Sequence, residues 1–279
     1  MANWKSSRDL KTVPLGPEAF APTDQILVAW LSAAGFLLNI RGTIVMIDPL
    51  LMQGSEPGIG EIGLELAVDL PILANEVPRV DYVLYTHGDG DHMGIKTAWE
   101  LSKKGAVFVG TYASYYKLTQ NGIPPEQCRV CRYEEPFPLG EINLAITPCD
   151  HPWQLKDRKR GGPPFRYGDC CGYIFNTSEG RLFFPGDTRL MEEHLRIRDI
   201  HLLALDVSLD ENHLTHRYAA VLANNLPDAW LLPLHYGTFI TDNPAHVGEP
   251  ADAYAMISGS EQRGLMLNPG ELFRFRKRV

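Results

Sequence analysis

The sequence predicts an α/β protein in which stacked β-sheets are flanked by helices. Strand-like and helix-like segments alternate along the chain, which is the pattern of layered sheets and helices. Neither an internal repeat nor a low-complexity linker divides the 279 residues, so we predict a single domain over residues 1–279. Residue types that bind metal ions also follow several predicted strands, where α/β scaffolds present their functional groups.

The chain is predicted to begin with three neighbouring strands. Residues 26–31 and 35–40 are apolar runs on either side of a short turn, and a third strand starts at Thr43. Residues 51–79 are rich in Gly and Glu and show no regular pattern. We interpret them as a surface loop over the active site, with the role of a lid as one hypothesis.

The same alternation continues through the rest of the chain. Residues 95–104 have a helical pattern that ends at Gly105, a residue typical of helix C-termini. The further predicted strands are 81–85, 106–109, 128–133, 141–147, 172–176, 181–185, 200–206 and 230–234. The further predicted helices lie near 111–119, 190–197, 215–225 and 250–259.

The composition argues against two classes of protein. A formal net charge of -8 opposes nucleic-acid binding, because no broad basic face is present to meet phosphates. No stretch approaches 18 uninterrupted apolar residues, so we predict no membrane span. The N-terminal residues have no apolar signal core, and the five cysteines are odd in number. We therefore predict a cytoplasmic protein without a disulfide framework.

The segment THGDGDHMG, residues 86–94, carries the strongest functional signal. It places four candidate metal ligands, His87, Asp89, Asp91 and His92, at the end of a predicted strand. Two imidazoles and two carboxylates this close together need heavy solvation unless a cation lies between them. The intervening glycines let the backbone turn sharply, so that the side chains converge. The segment therefore predicts a metal site.

Three later strands each end in one candidate ligand. His151 lies in TPCDHPW, Asp187 in FFPGDT and His235 in LPLHYGTF. Taken singly, a His or Asp after a strand is more often a cap or a turn residue. Four such strand ends in one chain, one of them carrying four ligands, favour a shared metal site.

These motifs together resemble the metallo-β-lactamase superfamily. The resemblance consists of H-x-[HD]-x-D-H, a later histidine, a GD[ST] aspartate and a late histidine, and it runs from Asp48 to His235. It implies a four-layer αββα sandwich with a dinuclear metal site at one edge of the two sheets. TPCDH, FFPGDT and LPLHYGTF are most similar to the branch of ascorbate-6-phosphate lactonase and N-acylphosphatidylethanolamine phospholipase D. That branch favours homo-oligomers.

The resemblance also implies two groups of ligands joined by one bridging carboxylate. Two ions about 3.5–4 Å apart hold a bridging hydroxide and polarise the oxygen next to the attacked atom. Asp91 would in addition orient that hydroxide and relay its proton. The implied groups are His87, Asp89 and His151 for one ion, Asp91, His92 and His235 for the other, and Asp187 between them.

Asp89 stands where this superfamily more commonly has a histidine, and three hypotheses stay open. A carboxylate can substitute for an imidazole in an ordinary zinc site. A more anionic ligand set can instead favour manganese or iron. In the third hypothesis Asp89 does not bind, which leaves one site weak or empty. An acidic residue here is also similar to the diiron oxygen-reducing members of the superfamily, which keeps oxidoreductase chemistry as an alternative.

Five further residues are predicted to act on the substrate. His213 is similar in position to a substrate-facing histidine of the phospholipase branch, with an exposed helix-entry residue as the alternative. Residues 153–168 contain five basic residues and one acid. They predict either a cationic loop over the active site that attracts an anionic substrate, or a solvated loop. The predicted substrate contacts are Asp48, Trp153, Arg166 and Tyr236.

The remaining histidines and the cysteines are assigned no chemical role. His194, His201 and His246 lie outside every motif, and we interpret them as surface or packing residues. Cys128 and Cys131 form a lone CxxC motif within a predicted strand, where residues three apart face opposite ways. We therefore interpret the cysteines as structural.

We predict a cytoplasmic, metal-dependent hydrolase of small, anionic molecules that are esters, lactones, phosphodiesters or amides. Its cofactors would be two divalent metal ions, zinc in the first place, with manganese or iron as alternatives. Two other classes stay open, a diiron-type oxidoreductase on the same fold and a metal-degenerate binding module. Metal analysis of the purified protein separates the three.

Overall fold

The structure, a computed structural model, describes residues 4–152 and 168–278. Within these ranges, thirteen strands form two mixed β-sheets. The loop predicted at 153–168 lies outside the described residues except for its last position, and so do Trp153 and Arg166. Among the described helices, none is long and apolar enough to cross a membrane.

The first sheet has seven strands, antiparallel on one side and parallel on the other. In chain order they are β1 (Ile26–Ser32), β2 (Gly35–Ile40), β3 (Thr43–Ile47), β4 (Tyr82–Leu84), β5 (Val107–Gly110), β6 (Cys128–Val130) and β13 (Leu272–Arg274). Across the sheet the order is β13-β1-β2-β3-β4-β5-β6, parallel from β3 to β6. The predicted pairing of residues 26–31 with residues 35–40 is confirmed.

The second sheet has six strands and mirrors this division. In chain order they are β7 (Phe137–Leu139), β8 (Ile142–Pro148), β9 (Cys171–Asn176), β10 (Arg181–Phe184), β11 (Leu202–Asp206) and β12 (Trp230–Leu234). Across the sheet the order is β12-β11-β10-β9-β8-β7, parallel from β12 to β10 and antiparallel beyond. The sequence analysis predicts neither β7 nor β13, which have three residues each.

The described residues also form six α-helices, most of them at predicted places. They are α1 (Ile95–Ser102), α2 (Tyr112–Gln120), α3 (Glu192–Arg196), α4 (Thr215–Asn225), α5 (Pro250–Tyr254) and α6 (Ser260–Arg263). The helix predicted near 250–259 ends early, at Tyr254, and Gly259 with a φ of 67° precedes α6. The chain therefore has two short helices where one was predicted.

The two sheets pack face to face, with helices on their outer faces. Ile26, Val28 and Trp30 of β1 enter the core that includes the side chains of the second sheet. The alternate residues Ala29 and Leu31 point into a second core, which also contains side chains of α1 and α2. On the other side, α4 packs on β11. This is the predicted four-layer αββα sandwich.

The irregular segment 51–79 is anchored to α1 through Glu61. The Glu61 carboxylate accepts hydrogen bonds from the backbone N–H groups of Lys96 and Thr97. It also accepts one from the Thr97 hydroxyl at 2.6 Å. A carboxylate at this position satisfies free N–H groups and complements the helix dipole. The segment is thereby held against the helix that follows residues 86–94.

Candidate metal site

The predicted ligands come together where strands of both sheets end. Residues 87–92 follow β4 of the first sheet, whereas His151, Asp187 and His235 follow β8, β10 and β12 of the second. Most of these side chains are buried, and Asp91 is 21% exposed. Four of them, Asp89, Asp91, His151 and Asp187, line a cavity of about 630 Å³.

The first group contains His87, Asp89 and His151. The Nε2 atoms of His87 and His151 each lie 3.5 Å from Asp89 Oδ2. Two ligands of one tetrahedral ion, at about 2.0–2.2 Å from it, lie roughly 3.3–3.6 Å apart. The spacing of these three side chains therefore fits a shared ion.

The second group contains Asp91, His92 and His235, and Asp187 belongs to both groups. Asp187 Oδ1 lies 2.8 Å from His235 Nε2, and Asp187 Oδ2 lies 3.0 Å from His92 Nε2. Ligand atoms of these four residues all lie within 4.8 Å of one another. The ligand atoms of Asp187 and of His87 and His151 in the first group also lie within 4.8 Å of one another. One carboxylate thus lies close to both groups, which is the position that a bridging ligand would need.

Hydrogen bonds behind the histidines fix the direction in which their Nε2 atoms point. His92 Nδ1 lies 2.8 Å from Asp48 Oδ2, and His151 Nδ1 lies 3.1 Å from the carbonyl oxygen of Asn212. Asp48 in turn accepts hydrogen bonds from the Thr86 N–H at 2.8 Å and the Thr86 hydroxyl at 2.5 Å. Such partners set the imidazole tautomer and strengthen a ligand's hold on a metal.

Two residues predicted to contact the substrate lie elsewhere. Asp48 is 1% exposed, and both of its carboxylate oxygens are used by Thr86 and His92. Tyr236 is 1% exposed and stacks on Trp30 in the core, with 4.7 Å between the ring centroids. Neither is among the described residues that line the cavity. The chain turns at His235, where φ is 62°, and this turn directs Tyr236 inward.

His213 lies in the cavity wall next to the carboxylate of Asp187. Its Nε2 is 3.5 Å from Asp187 Oδ2, and its Nδ1 is 2.7 Å from Asp206 Oδ2. At 5% exposure it is not the exposed helix-entry residue of the alternative hypothesis. Sequence analysis missed Asp206, the fully buried last residue of β11. Its position at a strand end was the signal that could have identified it.

His246 was also missed, because it was interpreted as a surface or packing residue with no chemical role. It lines the cavity, and its Nε2 lies 3.6 Å from Asp91 Oδ2. Its ring centroid is 5.5 Å from that of His235 and 5.2 Å from that of Phe239. Because it follows neither a strand nor a motif, no local pattern in the sequence identifies it.

Without a metal ion, the histidines and carboxylates of the site stabilise each other's charges. Burial lowers the pKa of His92, but Asp187 and Asp48 outweigh it and hold that pKa well above the usual value. Burial alone would raise the pKa of Asp187, yet His213 and His235 hold it well below the usual range. Burial alone would lower the pKa of His213, but Asp187 and Asp206 together outweigh it and raise that pKa to about 10. Protons on His92 and His213 thus supply positive charge that metal ions would otherwise supply, and metal binding would favour their release.

Asp89 has the ionic form that a ligand needs. Burial alone would raise its pKa, but hydrogen bonds from His151 and His87 lower the pKa below its usual range. The carboxylate is 7% exposed and lines the cavity. Its placement fits either hypothesis in which it binds an ion.

The cysteines of the described residues are all free thiols. Burial raises the pKa of Cys128 to about 11 and the pKa values of Cys149 and Cys170 well above their usual range. Protonated thiols are poor nucleophiles and poor ligands. This agrees with the interpretation of these three as structural residues, whereas a hydrogen bond with Cys171 lowers the pKa of Cys131.

A family model and several known proteins match the chain. The model of the beta-lactamase superfamily domain matches residues 45–236. A UPF0173 metal-dependent hydrolase from Pyrobaculum neutrophilum is 26% identical over 253 residues, which are 88% of this chain and 99% of that protein.

Two solved structures share the fold. Igni18, a metallo hydrolase from Ignicoccus hospitalis, matches with a TM-score of 0.66 and 19% identity, over 91% of this chain and 100% of that one. An isothiocyanate hydrolase from Delia radicum gut bacteria matches with a TM-score of 0.70 and 18% identity, over 89% of this chain and 99% of that one. At these identities the likeness is one of fold.

Proposed function

The chain belongs to the beta-lactamase superfamily, and we propose that it is a hydrolase that uses two divalent metal ions. A relative that spans 88% of the chain is named a metal-dependent hydrolase. The observation that carries the two-ion proposal is the position of Asp187, whose carboxylate contacts both groups of candidate ligands. The donor set of imidazoles and carboxylates suits zinc, and the share of carboxylates also suits manganese or iron.

Divalent ions at such a site supply Lewis acidity and lower the pKa of a bound water from about 15.7 toward about 7. The chain's own residues would then direct the reaction. Asp91, half-buried at the cavity surface, would orient the attacking water and accept its proton. His213, held by Asp206 with Nε2 toward Asp187, would donate a hydrogen bond to the leaving group.

We further propose a small, anionic ester, lactone, phosphodiester or amide as the substrate. This rests on the resemblance to the ascorbate-6-phosphate lactonase and phospholipase D branch and on the basic residues of 153–168. The cavity of about 630 Å³ is of the size that small-molecule sites have.

Metal analysis followed by a substrate screen tests the proposal. The purified protein should contain two equivalents of zinc, manganese or iron, lose activity with a chelator and regain it with added metal. The screen comprises a lactone, carboxylic esters, a phosphodiester, an amide and, because one similar structure bears that name, an isothiocyanate. Redox-active iron with turnover of oxygen or peroxide would contradict the proposal, and so would a protein that binds no ion even after addition of metal.

A further inference from the structure

A second cavity, of about 410 Å³, lies beside the metal site. His213 lines both cavities, so they adjoin at this side chain. The second cavity, which we call the side cavity, is lined, besides His213, by Asp150, Arg189, Leu190, Glu211, Thr215 and Tyr218. Apart from His213, none of these residues has a part in the hydrolysis proposed above.

Residues close in sequence line the two cavities on opposite sides. Where His151 lines the main cavity, its neighbour Asp150 lines the side cavity. The same holds for Asp187 in the main cavity and Arg189, two residues later, in the side cavity. For a molecule whose reacting bond lies at Asp187, the side cavity is therefore the neighbouring space on the far side of His213.

Arg189 gives the side cavity a fixed positive group. Its Nε and Nη2 atoms donate to Asp150 Oδ2 at 2.8 and 2.5 Å, which holds the guanidinium in one orientation. Within the described part of the chain, its Nη1 has no hydrogen-bond partner, and its side chain is 49% exposed. A planar guanidinium with a free edge is suited to a carboxylate.

Two further lining residues, Leu190 and Tyr218, are suited to a short carbon chain, whereas Glu211 adds a carboxylate to the lining. Leu190 is half-buried and Tyr218 is 46% exposed, so both offer apolar surface. We propose that the side cavity binds a substrate tail that ends in a carboxylate, as in a half-ester or half-amide of a dicarboxylic acid. This inference rests on the proposed hydrolase function, and it names the part of the substrate that carries the negative charge.

Matched substrates test the inference. The metal-loaded protein would be assayed with p-nitrophenyl butyrate and with the p-nitrophenyl half-esters of succinate, glutarate and adipate. We expect a lower KM for at least one half-ester than for the butyrate. Arg189→Gln should raise the half-ester KM about three- to tenfold, the range for a charge-assisted contact at a partly exposed site. The butyrate values should not change, and Arg189→Lys should restore part of the preference.

A control variant and a binding measurement keep the inference separate from the proposed function. Arg196→Gln removes another exposed arginine that pairs with a carboxylate, Glu192, outside the side cavity, and it should leave every KM unchanged. Calorimetric binding of the anilide of glutaric acid should weaken in Arg189→Gln even if no ester is hydrolysed, which would refute only the ester activity. Equal affinity of the wild type and Arg189→Gln for the half-esters and the anilide would overturn the inference.

Discussion

The two halves of the candidate site are built in different ways. The half on the first sheet is one continuous turn, residues 87–92, supported from behind by Asp48 and Thr86. The half on the second sheet collects single residues from the ends of separate strands, among them His151 and His235. The first half depends on local sequence, whereas the second depends on strand register, since a shift of one residue turns a side chain to the opposite face.

The largest expected effect comes from breaking the link between the halves. Asp187→Asn keeps the size of the side chain but removes the charge that contacts both groups. We expect loss of both ions and a fall in activity larger than the roughly 10–100-fold that loss of a supporting hydrogen bond costs. Atomic absorption and kcat/KM measure the two effects, with Asp150→Asn as a neighbouring control that keeps its metals. An Asp187→Asn protein with two bound ions and full activity would refute the bridging role.

The next test compares the supporting carboxylates of the two halves. Asp48→Asn weakens the partner of His92, a proposed ligand, and should lower metal affinity about 10–100-fold. Asp206→Asn weakens the partner of His213, which has no metal in the proposal, and should lower kcat while both ions stay bound. Metal titrations and steady-state kinetics of the pair separate the roles. Equal loss of metal in both variants would show that Asp206, like Asp48, supports metal binding.

A smaller effect is expected from restoring the commoner residue in the turn. Asp89→His exchanges a carboxylate for an imidazole between His87 and His151. Because nitrogen ligands suit zinc and oxygen ligands suit manganese, the preference for zinc should increase by about tenfold. Competition between the two ions, followed by metal analysis, measures the change. An unchanged preference would favour the hypothesis that Asp89 does not bind.

The last test concerns stability rather than activity, namely the dependence of the free energy of unfolding on pH in the metal-free protein. Burial, the largest influence, lowers the pKa of His246 to about 4, whereas the unfolded chain has the usual value of about 6.5. Between these values the unfolded chain binds more protons, so the free energy of unfolding falls as the pH drops from about 6.5 to about 4. His246→Gln should remove up to about 3 kcal/mol of this fall.

Urea unfolding at several pH values, in the presence of a chelator, measures that change. His201→Gln, at a less buried histidine outside the site, should change the slope less. If His246→Gln and the wild type lose stability in parallel on acidification, then His246 is not the group that is protonated.

Much of this molecule could be predicted from its sequence. The first three strands and α1 have strong local patterns, and the residue types of the HGDGDH turn are enough to predict a metal site. His151, Asp187 and His235 could be predicted because each directly follows an apolar strand.

What the sequence did not predict depends on contacts between distant segments. Asp206 has a clear role only once His213, seven residues later, has folded back onto it. His246 reaches Asp91 from a loop that is held to the end of β11 by the hydrogen bond from the Leu209 N–H to the Pro244 carbonyl. Tyr236 was wrongly predicted to face the substrate, because sequence proximity to His235 does not fix the direction of a side chain after a backbone turn.

The contact of Glu61 with α1 offers a way to measure opening of the main cavity. Ile62 and Leu64, just after Glu61, line the main cavity. When this stretch moves away from the cavity and withdraws Glu61, the amides of Lys96 and Thr97 lose their acceptor and become open to solvent. Loss of such a cap costs about 1 kcal/mol, which thermal motion supplies often. The rate of hydrogen exchange at these two amides would therefore report how often the cavity opens, without any attached label.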